Sequence, residues 1–198
     1  MKRTIFGLIF LFVFGVGYAQ TYTALNGPYG GSPRKIVDGG GGTIYSIAQS
    51  SGVLKSTNGA ASWTASNTGL TNLNVNDLIR DSGTGKLYAL TSSQVFTSTD
   101  NGANWVLTAN TGFSSGLFIR KTSTFLFIVS WNGTVYRSSN DGITWSQVNT
   151  FTGYPKDFEV NASGNLFIVT EANGVYRSTN NGLNFDALGS TNGLTDTY

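Results

Sequence analysis

Side chains able to do chemistry are scarce in this 198-residue chain, and the missing types exclude most reactions. There is no histidine and no cysteine. That removes the commonest general base, the commonest zinc ligand, thiolate nucleophiles and disulfides. A pair of carboxyl groups flanking a glycosidic bond is the chemistry left to consider. The acids outside repeated motifs are Asp38, Asp77, Asp81, Asp157, Glu159, Glu171, Asp186 and Asp196, scattered along the chain. No catalytic role, metal or cofactor is expected.

The elements that carry these residues are set by a repeat. Ser98-Thr99-Asp100-Asn101-Gly102-Ala103-Asn104-Trp105 recurs 40 residues later as Ser138-Ser139-Asn140-Asp141-Gly142-Ile143-Thr144-Trp145, and again 40 later as Ser178-Thr179-Asn180-Asn181-Gly182-Leu183-Asn184-Phe185. Upstream by 42 stands Ser56-Thr57-Asn58-Gly59-Ala60-Ala61-Ser62-Trp63, whose glycine falls one place early. The third-position Asp or Asn (Asn58, Asp100, Asn140, Asn180) suits an Asx turn. Gly102, Gly142 and Gly182 supply a positive φ, and the aromatic at position eight (Trp63, Trp105, Trp145, Phe185) can cover the hairpin. With Ala60 at the glycine position, the first box is expected to be the least regular.

Three short β-branched and aromatic segments precede each box and one follows it, bounded by Gly, Asn and Ser. Four strands per repeat of about 40 residues is the blade of a β-propeller. The chain is therefore expected to be all-β, with four antiparallel four-stranded blades at 34–66, 75–109, 116–149 and 156–189. Residues 20–26 resemble a lone fourth strand of the kind that closes a ring, which makes the four blades part of a larger, incomplete circle with unpacked ends. Self-association is expected if the ring is open.

The octets resemble the Asp-box, or bacterial neuraminidase repeat, Ser-X-Asp-X-Gly-X-X-Trp. The second copy fits at every position; the third and fourth put Asn for Asp, and the fourth Phe for Trp. The box occurs in propellers of sialidases, xyloglucan-active glycosidases, sortilin-type receptors and a photosystem II assembly factor. The resemblance implies a propeller whose boxes hold hairpins away from any ligand. It does not carry catalysis across. The Phe/Tyr-Arg-Ile-Pro signature of sialidases is absent, and xyloglucan-active enzymes of this type span two large propellers.

Positions that repeat serve the fold, so function is sought where repetition fails. The hairpin between the second and third strand of each blade lies opposite the boxes. Four places before the valine that opens the third strand stand Gln49, Thr91, Trp131 and Glu171, all different. Trp131 is the leading ligand-face candidate, because exposed Trp favours sugar rings or a protein partner. Tyr154, in an inter-blade loop, joins them. Asn132-Gly133-Thr134 and Asn161-Ala162-Ser163 are glycosylation sequons by pattern.

The N-terminus reads as a secretory signal peptide over 1–19: Met1-Lys2-Arg3, an apolar run at 5–16, then Gly17-Tyr18-Ala19. The run is too short to span a membrane. Removing Lys2 and Arg3 leaves ten cations against ten carboxylates, a neutral chain with no cationic field for nucleic acid. The sequence thus points to a secreted or cell-envelope recognition or scaffold module, at 20–198, for a glycan or an extracellular or envelope protein. The alternative is a fragment of a carbohydrate-active enzyme, sialidase-like or glucan-hydrolysing.

Overall fold

The computed structural model describes residues 32–108, 112–171 and 173–188. The expected signal peptide and the lone strand at 20–26 lie outside the described residues. Sixteen strands form four sheets, each an antiparallel meander in sequence order, with no helix among the described residues. The first blade is β1 (Pro33–Gly40), β2 (Thr43–Ala48), β3 (Gly52–Ser56) and β4 (Thr64–Ala65). The second is β5 (Asp77–Arg80), β6 (Leu87–Leu90), β7 (Val95–Ser98) and β8 (Val106–Leu107). The third is β9 (Gly116–Lys121), β10 (Leu126–Ser130), β11 (Thr134–Ser138) and β12 (Ser146–Thr150). The fourth is β13 (Pro155–Val160), β14 (Leu166–Thr170), β15 (Gly174–Ser178) and β16 (Asp186–Leu188). These are four blades of a β-propeller.

The innermost strands touch in succession, β1 to β5 to β9 to β13, and among the described residues no comparable β13–β1 contact closes the circle. Between blades, one face of each sheet packs on the opposite face of the next. Tyr45, Ile47 and Val53 meet Leu78, Leu87, Ala89 and Phe96; Tyr88, Leu90 and Val95 meet Ile119, Leu126 and Ile128; Phe127, Val129 and Val135 meet Phe158, Leu166 and Ile168. The core is thus three inter-blade layers. Strands that are apolar on both faces follow from this, since each middle blade is covered on both sides.

The boxes form the β3–β4, β7–β8, β11–β12 and β15–β16 turns, and their residue types explain the geometry. Ser98 Oγ donates to Asp100 Oδ1 (2.7 Å) and accepts from Gly102 N (2.9 Å), while Asp100 Oδ1 accepts from Asn104 N (2.9 Å). Hydrogen bonds hold Asp100 down to a pKa of about 2, the Asn104 amide being the largest influence. The first box is as regular as the rest, contrary to expectation. Ala60 N donates to Ser56 Oγ (3.0 Å), Ser62 N to Asn58 Oδ1 (3.0 Å), and Ala60 takes the left-handed φ of 68° that Gly102 has at 78°. Gly102 answers to a second constraint that Ala60 escapes: an added Cβ would lie 2.6 Å from Ser66 Oγ of the preceding blade. Trp105 of the second box is buried and its Nε1 donates to Ser66 O (2.7 Å), clasping the preceding blade. Trp63 is half-buried, and its Nε1 has no such acceptor among the described residues.

Candidate functional site

In an antiparallel meander the second-to-third strand hairpins and the linkers between blades share one end of the sheets, opposite the boxes. At that end the third and fourth blades bring together Trp131, Tyr154 and Glu171. Trp131 begins the β10–β11 turn. Its amide donates to Ser115 O (3.0 Å), Ser130 Oγ donates to Asn132 Oδ1 (2.8 Å), and Thr134 N donates to the same Asn132 oxygen (3.2 Å). Gly133 closes the turn at φ 80°, where a Cβ would lie 2.3 Å from Phe151 O. No other residue fits there, so the turn that presents Trp131 is tightly fixed.

Tyr154 follows Gly153 in the linker, and its carbonyl accepts from Glu171 N (2.9 Å). The Trp131 and Tyr154 rings lie with centroids 5.0 Å apart at 57°, forming a corner. They remain 39% and 40% exposed, so the corner is covered only on its back. Lys156 Nζ sits 5.2 Å from the Tyr154 ring centroid and 3.1 Å from Glu171 Oε1. The site is an exposed aromatic corner edged by one ammonium, one carboxylate and the Asn132 amide. The sequence did not single out Lys156; its place two residues after Tyr154, at the start of β13, was the available signal.

Gln49 is exposed in the first blade's hairpin, where its amide donates to Ser32 O (3.2 Å), and belongs to a different blade from the corner. Thr91 is a correction. It is fully buried, its Oγ1 accepting from Gln94 N (3.1 Å). The β6–β7 hairpin is one residue shorter than the others: Leu90 pairs with Val95, whereas Ile47, Val129 and Val169 pair with Val53, Val135 and Val175. Counting back from Val95 therefore lands on the inward neighbour, and exposed Ser92 is the equivalent of Trp131.

A second concavity of about 520 Å³ lies at the box end, among the first-to-second strand hairpins of the last three blades. Arg80, Asp81, Lys121 and Asn161 line it. Burial pushes the Asp81 carboxyl up, but hydrogen bonds from Lys121, Thr84 and the Gly83 amide outweigh it and hold the group below its ordinary value. A depressed carboxyl is a poor general acid. Along the inner strands a ladder of alternating charge joins the blades: Lys35 Nζ to Asp77 Oδ1 (2.6 Å), Asp77 Oδ2 to Arg120 Nη1 (2.6 Å), and Arg120 Nη2 to Glu159 Oε1 (2.9 Å). Burial lowers the Arg120 pKa, and its Asp77 and Glu159 partners more than restore it. Between the second and third blades, Tyr88 Oη and Lys86 Nζ both donate to Asp141. Burial and that carboxylate push the Tyr88 hydroxyl well above the usual phenol range.

Among solved structures, the chain is similar to the GH74 enzyme of Niastella koreensis, with 23% identity over 85% of this chain and 27% of that one, TM-score 0.63. It is similar to the extracellular domain of a putative hybrid two component system from B. thetaiotaomicron, with 15% identity over 84% of this chain and 23% of that one, TM-score 0.66. It is also similar to YCF48 bound to D1 peptide, with 16% identity over 76% of this chain and 51% of that one, TM-score 0.56. They share its fold. The chain spans between about a quarter and a half of their length. No family model and no curated protein matches. No helix among the described residues is long and apolar enough to cross a membrane.

Proposed function

We propose that the chain is an exported, non-catalytic recognition module of the Asp-box propeller type that binds carbohydrate at the Trp131–Tyr154 corner. The observation that carries this reading is the corner itself. Two large rings left more than a third exposed, on a backbone fixed by Gly133, cost area that a folded chain otherwise covers. A pyranose presents an apolar C–H face and a rim of hydroxyls. The C–H face stacks on the electron-rich face of Trp131, and the hydroxyls find Glu171, Lys156 and Asn132 at the edge. The same propeller scaffold in an extracellular domain from B. thetaiotaomicron is consistent with an exported setting, and its presence in a GH74 enzyme with a carbohydrate ligand.

The test is a glycan array followed by calorimetric titration of the best oligosaccharide. Wild type is expected to bind, with the signal lost in Trp131→Ala and Tyr154→Ala while circular dichroism stays unchanged. No glycan signal, with capture of an envelope protein dependent on the same two residues, replaces carbohydrate by a protein ligand. Turnover of a fluorogenic sialoside or glucan, abolished by a single carboxylate substitution, overturns the non-catalytic reading in favour of an enzyme fragment.

A further inference from the structure

We infer that the seam between the third and fourth blades is a docking groove for an extended segment of a partner protein, one that carries a Thr-Gly step. The other two seams show what such a groove holds, because each is crossed by the linker that joins its blades. At the first, Trp105 N donates to Thr68 O (2.8 Å), and Gly69 lies so close that an added Cβ would stand 2.1 Å from Trp105 O. Leu70 then packs as a plug on the apolar layer that holds Phe96 and Trp105. At the second, Gly112 takes the place of Gly69, with an added Cβ 2.3 Å from Trp145 O. Phe113 follows as the plug, its ring centroid 5.6 Å from that of Trp145. Both linkers read Asn-Thr-Gly before the plug, Asn67-Thr68-Gly69 and Asn110-Thr111-Gly112.

The third linker is too short to do this. It has four residues, 151–154, against eleven at 66–76 and eight at 108–115. Its plug is Phe151, which comes straight after β12 and sits with ring centroids 6.4 Å from Phe185 and 5.5 Å from Tyr176. Its glycine, Gly153, faces Asn173 and Thr170 instead of the box aromatic. Among the described residues the Phe185 amide therefore has no counterpart of Thr68 O, and Phe185 is half-buried where Trp105 and Trp145 are buried. In place of the Thr-Gly step runs a groove of about 300 Å³, between Thr150 and Thr152 on one side and Tyr176, Asn184 and Phe185 on the other. Both walls are supplied by the third and fourth blades themselves. Ligand clefts begin at about 300 Å³, which suits a few residues of extended chain and no folded element. No charged side chain lines the groove, so recognition rests on backbone hydrogen bonding and fit, as when a strand adds to exposed backbone. Glycine is the selective residue, since at both covered seams a Cβ would collide with a carbonyl. Phe151 already fills the plug position, so the segment needs no large apolar residue after its glycine.

Amide NMR of the labelled chain, titrated with acetyl-Ser-Asn-Thr-Gly-amide (the sequence of 66–69), reads the site directly. Saturable shifts are expected at Thr150, Thr152, Asn184 and Phe185. Alanine in place of the peptide's glycine should weaken binding about tenfold or more, the scale of one spoilt backbone hydrogen bond. Inserting Asn-Thr-Gly between Thr150 and Phe151 gives the chain its own occupant and should abolish the shifts. Trp131→Ala should leave them intact, which separates this groove from the carbohydrate corner. The glycine and alanine peptides decide the matter even where the insertion upsets folding. No saturable shift at millimolar peptide, equal binding of the alanine peptide, or the same amides moved by an oligosaccharide in the peptide's stead overturns the inference.

Discussion

Replacing Asp77 by asparagine preserves shape at the centre of the charge ladder and removes one acceptor. The residue is buried and accepts four hydrogen bonds, two on each oxygen: Lys35 Nζ (2.6 Å) and Leu78 N (2.9 Å) on Oδ1, Ile119 N (2.9 Å) and Arg120 Nη1 (2.6 Å) on Oδ2. An amide has a single oxygen. Whichever way the substituted side chain turned, its NH₂ would face two donors, leaving them unpaired inside the protein. Each buried unsatisfied group costs about 1–3 kcal/mol, and breaking a buried ion pair by removing one partner costs about 3–5 kcal/mol. Arg120 keeps Glu159, which argues for the lower part of that range, about 3 kcal/mol. For a chain of this size that lowers the melting temperature by roughly 6–12 °C. Urea denaturation followed by tryptophan fluorescence measures it. Asp77→Asn combined with Arg120→Leu should cost less than the two single losses added, because the second change removes the stranded cation. A loss below about 0.5 kcal/mol for Asp77→Asn, the level of an ordinary surface substitution, would refute the reasoning.

Two further predictions concern the boxes. Asp100→Asn should leave stability at neutral pH nearly unchanged, since Asn140 accepts the same bonds from Thr144 N (2.9 Å) and Ser138 Oγ (2.9 Å). Its effect should appear in acid. The folded pKa of about 2 lies below the ordinary carboxylate value, so the stabilisation is complete above that value and is lost as pH falls through about 2. Urea midpoints from pH 5 downwards should therefore fall less steeply in the variant; parallel curves count against this. Ala60→Gly should stabilise the chain by about 0.5–1 kcal/mol, because relief of a left-handed alanine outweighs the entropy of an added glycine. A lower denaturation midpoint in that variant would show that the turn carries no strain.

The architecture was legible because each octet needs the same thing: a serine and an Asx to cap the turn, a left-handed residue, and an aromatic to clasp the neighbouring blade. Those demands are local, so they are written in adjacent letters. Trp131 and Tyr154 were legible as departures from the repeat, though their meeting across two blades was not, since it depends on how the blades pack. Thr91 was misplaced by one residue because hairpin length is set by which residues pair, and a single deletion exchanges the inner and outer faces. Ala60 misled for the opposite reason. Glycine at that position in the second box answers to the crowding of a neighbouring blade, and among the described residues the first box has none on that side. The alternating ladder is spread over four innermost strands some 40 residues apart, and no short window of sequence contains it.

Three of the four outermost strands are brief, two residues each in β4 and β8 and three in β16, while β12 runs to five. Val106 and Leu107 stand exposed there as an apolar pair. Yet a two-residue strand offers too little backbone for a foreign strand to zip onto. At those three blades the perimeter thereby offers little purchase for the sheet extension that turns all-β proteins into amyloid, even where its side chains invite contact.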